Sequence, residues 1–341
     1  MTLGRRRFLR AAAVLLAGFV ACRPVSPAPS PRPRPTLGYF PNVTHAPALL
    51  LAARSPDLPF DVKTFNAGPA LIEALFAGAV DVGYVGPSPA VNGYVQSKGQ
   101  ALRIVAGAMS GGASFVVRPN AGVKGPADLA GKKLATPQRG NTQDVALRTY
   151  LRLNGLKPRE QGGEVDVVPT ANPDIVNLFK QGQIDGAWVP EPWASTLVLQ
   201  ADGQVFVDER TLWPGGRFAT TNVVASIRLL AERPDAVKAL LKAHVEALDY
   251  LAASPADARK TVGEQIARIT TQPVPADLLE RAFANQDATY DPLVPSVLAQ
   301  ADNAFALGFL GDTKPDLSRL FDLTLLNDLL GAAGKPGVAA G

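Results

Sequence analysis

From Thr36 onward, apolar and polar positions alternate in blocks that switch between two periods. The stretches "TLGYF", "FDVKTF", "VDVGYV", "ALRIVAGAM" and "ASFVVRP" read as short strands bounded by Gly and Pro. Residues 46–53, 69–77 and 89–97 carry apolar residues at helical spacing between them. After Pro119 the pattern begins again. "PADLAG" predicts a short helix, "KKLATP" a strand, residues 142–154 a helix closed by Gly155, and "GEVDVVP" and "GQVFVDE" further strands. This second set runs to about Thr221, "TNVVAS" adds one more strand, and from Arg233 the chain is almost all helical, with Pro234, Pro255, Pro275 and Pro295 near helix starts. Strands alternating with helices predict parallel sheets and an α/β fold.

The two sets share more than their period. "AGPALIEALFAGAVDVGYVGPSPA" (67–90) aligns without a gap on "ANPDIVNLFKQGQIDGAWVPEPWA" (171–194), an offset of 104 (171 minus 67). Ala67/Ala171, Pro69/Pro173, Gly78/Gly182, Asp81/Asp185, Val85/Val189 and Ala90/Ala194 are identical. In each copy a Pro suits the start of a helix, and Leu71, Ile72 and Leu75, or Ile175, Val176 and Phe179, form one apolar face. A Gly then ends each helix ahead of a strand. Look-alike helix–strand units are common in α/β chains. Here the turn after each strand also repeats a chemistry, "GPSP" and "PEPW", at the strand ends where open parallel sheets place their ligand crevice. Two lobes of like topology are therefore expected.

The 341 residues favour two domains, and the N-terminus adds an address. Arg5-Arg6-Arg7-Phe8-Leu9-Arg10 precedes an apolar run, 11–21, too short for an ordinary membrane-spanning helix. "GRRRFLR" resembles a twin-arginine export motif and "FVAC" a lipoprotein processing site, so 1–21 is expected to be a signal peptide and Cys22 the lipidated first residue. Simple cleavage at a nearby small residue is the alternative. Cys22 is the only cysteine, which excludes an internal disulfide, a cysteine nucleophile elsewhere or a Cys metal cluster. Residues 22–35, "CRPVSPAPSPRPRP", form a Pro-rich tether of roughly 40 Å at about 3.1 Å per residue.

Charge changes the picture once this address is set aside. The formal net charge is +4, but Arg5, Arg6, Arg7, Arg10, Arg23, Arg32 and Arg34 all lie within 1–35. Without those seven, 27 Lys and Arg face 30 Asp and Glu, a net −3 for the folded part. No basic stripe interleaved with aromatics remains, so no nucleic-acid partner is expected.

Three helix starts offer neutral hydrogen-bond donors. Ser88 reads as an N-cap before Pro89; Gly140, Asn141, Thr142 and Gln143 lead the helix after "LATP"; Asn42, Thr44 and His45 lead the first helix. Each alone is an ordinary cap. Together they divide between two lobes at corresponding strand ends.

"LGYFPNVTHAPALLLA", "FNAGPALIEALFAGAVDVGYVGPSPA", "GKKLATPQRGNTQDVALRTYL" and "DGAWVPEPWA" resemble the solute-binding proteins of ABC importers in the nitrate, taurine and alkanesulfonate family. The resemblance runs in order from Thr36 to about Leu251. It implies a two-lobed periplasmic-binding-protein-like fold of type II, with two doubly wound βα lobes. Lobe 1 would take 36–117 and 222–341 and lobe 2 would take 118–221, with hinge crossings near 114–118 and 220–225. The pocket it implies uses Ser88, Asn141, Thr142, Trp188 and Glu191, with Asn42, His45 and Asn222 as further contacts. Core packing is the alternative for Trp188 and Trp193. Glu191 would meet a ligand amine, an aminopyrimidine N–H, or a base such as Arg139 at the rim. The segment "ARSPDLPFDV" is shorter than in many relatives, where a Gly and aromatic segment precedes the second strand.

The implied role is an exported, membrane-anchored lipoprotein, periplasmic or at the cell surface. It would act as a monomer and pass a sulfonate-like ligand to a permease and its ATPase. Related importers take aminopyrimidines, nitrate or aromatic acids, and a sensing role is the remaining alternative. An enzyme is not expected, nor any cofactor or metal. His45 and His244 are the only histidines, and no Ser-His-Asp set, metal spacing or phosphate loop is visible. A related family of hydroxymethylpyrimidine synthases uses a His in the first loop, but its cysteine-rich segment has no counterpart here.

Overall fold

The structure, a computed structural model, describes residues 33–339; Cys22, the leader and most of the tether lie outside them. The first lobe begins with β1 (Thr36–Tyr39), α1 (Ala46–Arg54), β2 (Asp61–Thr64), α2 (Gly68–Phe76), β3 (Val82–Val85), α3 (Pro87–Gln96) and β4 (Leu102–Gly111). The second contains β5 (Ala113–Val117), β6 (Lys133–Thr136), α4 (Thr142–Leu153), β7 (Asp166–Pro169), α5 (Asn172–Lys180), β8 (Gly186–Pro190), α6 (Trp193–Gln200) and β9 (Gln204–Asp208). The chain returns to the first lobe through β10 (Ala219–Ser226). It then adds α7 (Ile227–Glu232), α8 (Pro234–Ala253), α9 (Pro255–Thr270), α10 (Ala276–Ala284), β11 (Gln286–Ala288), α11 (Val294–Ala306) and α12 (Thr324–Ala332). Among the described residues no helix is long and apolar enough to cross a membrane.

The first sheet runs β11-β4-β10-β3-β1-β2 and the second β7-β6-β8-β5-β9. Each holds a parallel trio, β2-β1-β3 or β7-β6-β8, joined by an antiparallel strand, β10 on β3 and β5 on β8. The repeated sequence is thus a repeated trio. The sheets are mixed rather than purely parallel because the strands entering from the other lobe, β5 and β10, run against the trio.

Those strands also move the crossings. The first is Gly111-Gly112, both at positive φ (78° and 73°). A Cβ on Gly111 would stand 2.8 Å from the Asn285 carbonyl oxygen, so this reversal takes glycine for space as well as for φ. Residues 114–117, expected at the crossing and at the end of lobe 1, lie in β5, where pairing with β8 and β9 draws them into the second sheet. The second crossing is the segment 209–218, and residues 220–225 lie within β10, paired to β3 and β4.

One repeated residue sets the register in each lobe. Asp81 Oδ2 accepts the Thr36 backbone N–H at 2.9 Å and its other oxygen takes Arg228 Nη2 at 2.6 Å. Asp185 does the same with the Lys133 N–H at 2.9 Å and Arg118 Nη2 at 3.0 Å. Each carboxylate therefore ties the start of a central strand to its parallel neighbour.

Alternation along the strands fills a core on both faces. Val82 and Tyr84 pack with α1 and α8, while Val85 joins the cluster under α2 and α3. In the second lobe Phe115 and Trp188 face the α4 side, and Ala187 and Val189 the α5 side. Each large apolar side chain so buried contributes roughly 1.5–3 kcal/mol.

A buried polar link crosses the first core. Tyr84 OH lies 2.8 Å from His244 Nδ1, and His244 Nε2 lies 2.8 Å from the Gly107 carbonyl. A carbonyl only accepts, so Nε2 carries the proton and Nδ1 accepts from the tyrosine. Burial lowers the imidazole from its ordinary 6.5 to about 4, and it is neutral in the fold. A histidine depressed in this way favours the fold above its unfolded value and loses that contribution as pH falls toward 4. His244→Leu should cost about 2–4 kcal/mol in urea unfolding, since two buried partners lose their bonds. His244→Gln should cost less and give a shallower acid loss between pH 6.5 and 4 than the parent. An unchanged acid slope would show that His244 does not titrate with unfolding.

Candidate functional site

Strand ends of the two lobes meet in a cleft. Its cavity, about 20 Å³, is lined from the first lobe by Phe40, Asn42, Thr44 and His45 after β1, Asn66 after β2, Gly86 after β3, and Thr220. From the second it takes Asn141, Thr142 and Gln143 at the start of α4, Asn172 at the start of α5, and Pro190. Among the described residues no Lys, Arg, Asp or Glu lines it. His45 adds no charge, because burial lowers it to about 3 despite the Tyr84 carbonyl 3.3 Å from Nε2. Backbone N–H groups and neutral side chains are therefore what the cavity offers.

The lobes touch around it. Trp193 Nε1 donates to Asn42 Oδ1 at 3.0 Å, and Asn285 Nδ2 to Glu191 Oε1 at 2.8 Å, both across the cleft. Gly86 meets α4 so closely that a Cβ there would lie 2.2 Å from Thr142 Oγ1. A cavity of this size holds about one water-sized group. Any larger solute enters with the lobes moved apart.

The expected residues fall into three groups. Asn42, His45, Asn141 and Thr142 line the cavity together. Asn141 caps α4 by its extended backbone (φ −69°, ψ 162°) and makes no side-chain capping bond. The Thr142 hydroxyl is buried without a partner among the described residues.

Ser88 and Asn222 are buried nearby in the first lobe. Ser88 is not the N-cap: α3 starts earlier, at Pro87, with Gly86 as its cap. Proline at the first helical position has a suitable φ, and Pro89 in the same turn lacks only an N–H that has no helical acceptor. The Ser88 hydroxyl is left buried and unpartnered. Asn222, on β10, donates to the Pro292 carbonyl at 3.1 Å, while its Oδ1 has no partner.

Trp188 and Glu191 do not line this cavity. Trp188 is fully buried in the second lobe, stacked on Phe115 with centroids 5.5 Å apart and donating from Nε1 to Glu209 at 2.7 Å. Strand alternation turns it toward α4. Glu191 makes no rim pair with Arg139, which bonds Glu160 at 3.2 Å instead. Glu191 is 1% exposed and accepts from Ser195 N, Ser195 Oγ and Asn285 Nδ2. Burial nevertheless raises its carboxyl above the ordinary range.

Asn66, Thr220, Asn285 and Glu209 carried no signal in the sequence. Asn285 reaches Glu191 from 94 residues away, a pairing that only the fold creates.

The sequence matches the NMT1-like family over residues 28–267, more than half the chain. The chain belongs to the NMT1-like family. It is 30% identical over 197 residues to the taurine-binding periplasmic protein of Escherichia coli (strain K12), a match covering 57% of this chain and 58% of that one. The chain thus spans little more than half the length of the curated relatives it matches. Among solved structures, the alkanesulfonate-binding protein SsuA from Xanthomonas axonopodis pv. citri, bound to MOPS, is 24% identical with a TM-score of 0.68, covering 82% of this chain and 95% of that one. The periplasmic nitrate-binding protein NrtA from Synechocystis PCC 6803 is 17% identical with a TM-score of 0.74, covering 89% of each. This NMT1-like chain shares their two-lobed α/β fold.

Gly86 offers a test of how close the lobes must come. Gly86→Ala places a methyl against Thr142 and should hold the lobes apart, raising the radius of gyration in solution scattering and weakening any cleft ligand by about tenfold, or ~1.4 kcal/mol. An unchanged radius and affinity would mean that this contact does not govern closure.

Proposed function

We propose that this chain is the extracytoplasmic solute-binding component of an ABC importer and that its cleft takes a small oxyanion of the taurine and alkanesulfonate class. The observation that carries the reading is a cleft without charged side chains among the described residues, set at helix starts, with Thr142 on its wall and the hydroxyls of Thr142 and nearby Ser88 both buried and unpartnered. Helix N-termini favour negative charge, and neutral donors suit a monoanion. Ser88, Asn141 and Thr142 would hold the oxygens, with Asn42 and His45 on the opposing loop and Asn222 behind them. The relatives named above support the solute class.

The lobes would close as units about Gly111-Gly112 and the 209–218 segment, the ligand favouring the form in which both sides reach it. The leader 1–21, lipidated Cys22 and the 22–35 tether would keep a monomeric protein beside its permease and ATPase. The role is binding rather than catalysis. A buried imidazole with a pKa near 3 is a poor proton acceptor at neutral pH, which argues against His45 as a general base.

The small cavity favours a second reading, in which the ligand is a smaller anion such as nitrate. Thermal unfolding against taurine, ethanesulfonate and nitrate separates them, since a ligand at about 100 times its Kd adds roughly 2.7 kcal/mol. Taurine and ethanesulfonate should shift alike, because the Glu191 oxygens already accept from Ser195 and Asn285. A shift with taurine alone would place its ammonium on a carboxylate, and nitrate alone would select the second reading. Ser88→Ala and Asn141→Ala should each weaken binding about tenfold, or ~1.4 kcal/mol; unchanged affinity in both would remove the cleft as the site.

A further inference from the structure

Beside the cleft lies a larger cavity, about 400 Å³, that the sequence motifs do not account for. One face of α4 lines it, including Thr149 and Tyr150, together with Trp188, Glu209 and Trp213 from the second lobe and crossing. Gln300 on α11 contributes from the first lobe, so the cavity belongs to the arrangement with the lobes together. Its volume lies in the range of small-molecule sites and far exceeds the voids of a packed interior.

Three observations give its chemistry. Thr149 lines it and is 7% exposed, and its hydroxyl is buried with no partner among the described residues. A hydroxyl in that position calls for a group to bond, because leaving it unmade costs free energy. Among the described residues Glu209 is the one acidic side chain in the lining, and the lining holds no Lys, Arg or His. The Trp188 indole donates to its carboxyl at 2.7 Å, which leaves acceptor capacity for a further donor. Finally, the lining includes two large apolar side chains open to water, Leu153 at 70% and Leu212 at 49% exposure. The site is therefore apolar and aromatic with a single buried acid, the inverse of the cleft.

We propose that this cavity is a second binding site, taking a small aromatic or apolar amine whose ammonium faces Glu209 and whose body lies against Trp213 and Tyr150. Aromatic faces and a carboxylate both favour a cation, and an anion finds no compensating charge. The proposal stands apart from the cleft reading, since it rests on other residues and the opposite ligand charge.

Phenethylamine is the probe, with 3-phenylpropanoate as the anion of similar shape and 2-phenylethanol as the neutral one. Titrations of the full chain at pH 8 follow indole fluorescence, to which Trp188 and Trp213 contribute two of the three tryptophans. Burial raises Glu209 to about 7, so the carboxyl is ionised there. Saturable phenethylamine binding is expected, at least about tenfold tighter than phenylpropanoate. Glu209→Gln should erase that preference while keeping phenylethanol. Ala146→Trp, which fills the cavity from α4, should abolish binding of all three; if its near-ultraviolet dichroism is lost, Ala146→Leu replaces it. Ser88→Ala should leave phenethylamine unchanged. No saturable binding, equal binding of the anion, survival in the filled variant, or loss in Ser88→Ala would each overturn the proposal. Taurine and nitrate shifts recorded on the same protein report the cleft separately, so failure at one site is not read as failure at the other.

Discussion

A carboxylate bonded to the first residues of a neighbouring strand holds each lobe in register, and the cleft depends on it. Asp81 grips the Thr36 N–H, and Asp185 the Lys133 N–H, so β3 and β8 start level with β1 and β6. Both central strands are buried throughout. A slip of one residue would exchange their faces, turning Tyr84 away from His244 and Trp188 away from Glu209. With register set, the four strands end together and their following loops meet: Asn42 to His45, Gly86, Asn141 to Gln143, and Pro190.

Charge is then partitioned around those loops. The cleft carries none in its lining, because His45 is neutral and the nearest acids are engaged elsewhere. Asp144, in the first turn of α4, accepts from Thr136, the Gly140 N–H and Arg148 at 2.9 Å each. Its charge is balanced within the second lobe, leaving backbone and neutral side-chain donors for the cavity. Glu191 is held by Ser195 on its own lobe and by Asn285 on the other, so this carboxyl links the lobes. Beyond α4, Glu209 sits among indoles. Two cavities with Thr142 in both walls thus differ in charge within one protein, one lined by neutral groups and the other holding a single carboxyl.

Much of the architecture was legible because local rules acted in agreement. Gly78 and Gly182 take φ of 69° and 70°, as helix-ending residues should, and the helices expected near Pro234, Pro255, Pro275 and Pro295 begin there. Among candidate ligand residues, those at loops directly after β1 and β6 were brought together. The expected cap at Ser88 lay two residues past the observed one at Gly86, since two prolines in "GPSP" allow two helix starts and only packing chooses between them. β11 escaped notice: its three residues carry no period, and it exists as a strand only by pairing with β4.

The sequence by itself determined the alternation of strands and helices, the duplication of the trio and the chemistry available at its ends, because these depend on periodicity and on residues close in the chain. Tertiary structure alone decided which lobe owns β5 and β10, since sheet membership is settled by hydrogen bonds between distant strands. It also decided the fate of Trp188 and Glu191. An indole and a carboxyl beside a ligand crevice read alike whether they face solute or core. The difference lies in partners, Glu209 and Asn285, that stand 21 and 94 residues away along the chain and come within hydrogen-bond reach only when the lobes are formed and shut.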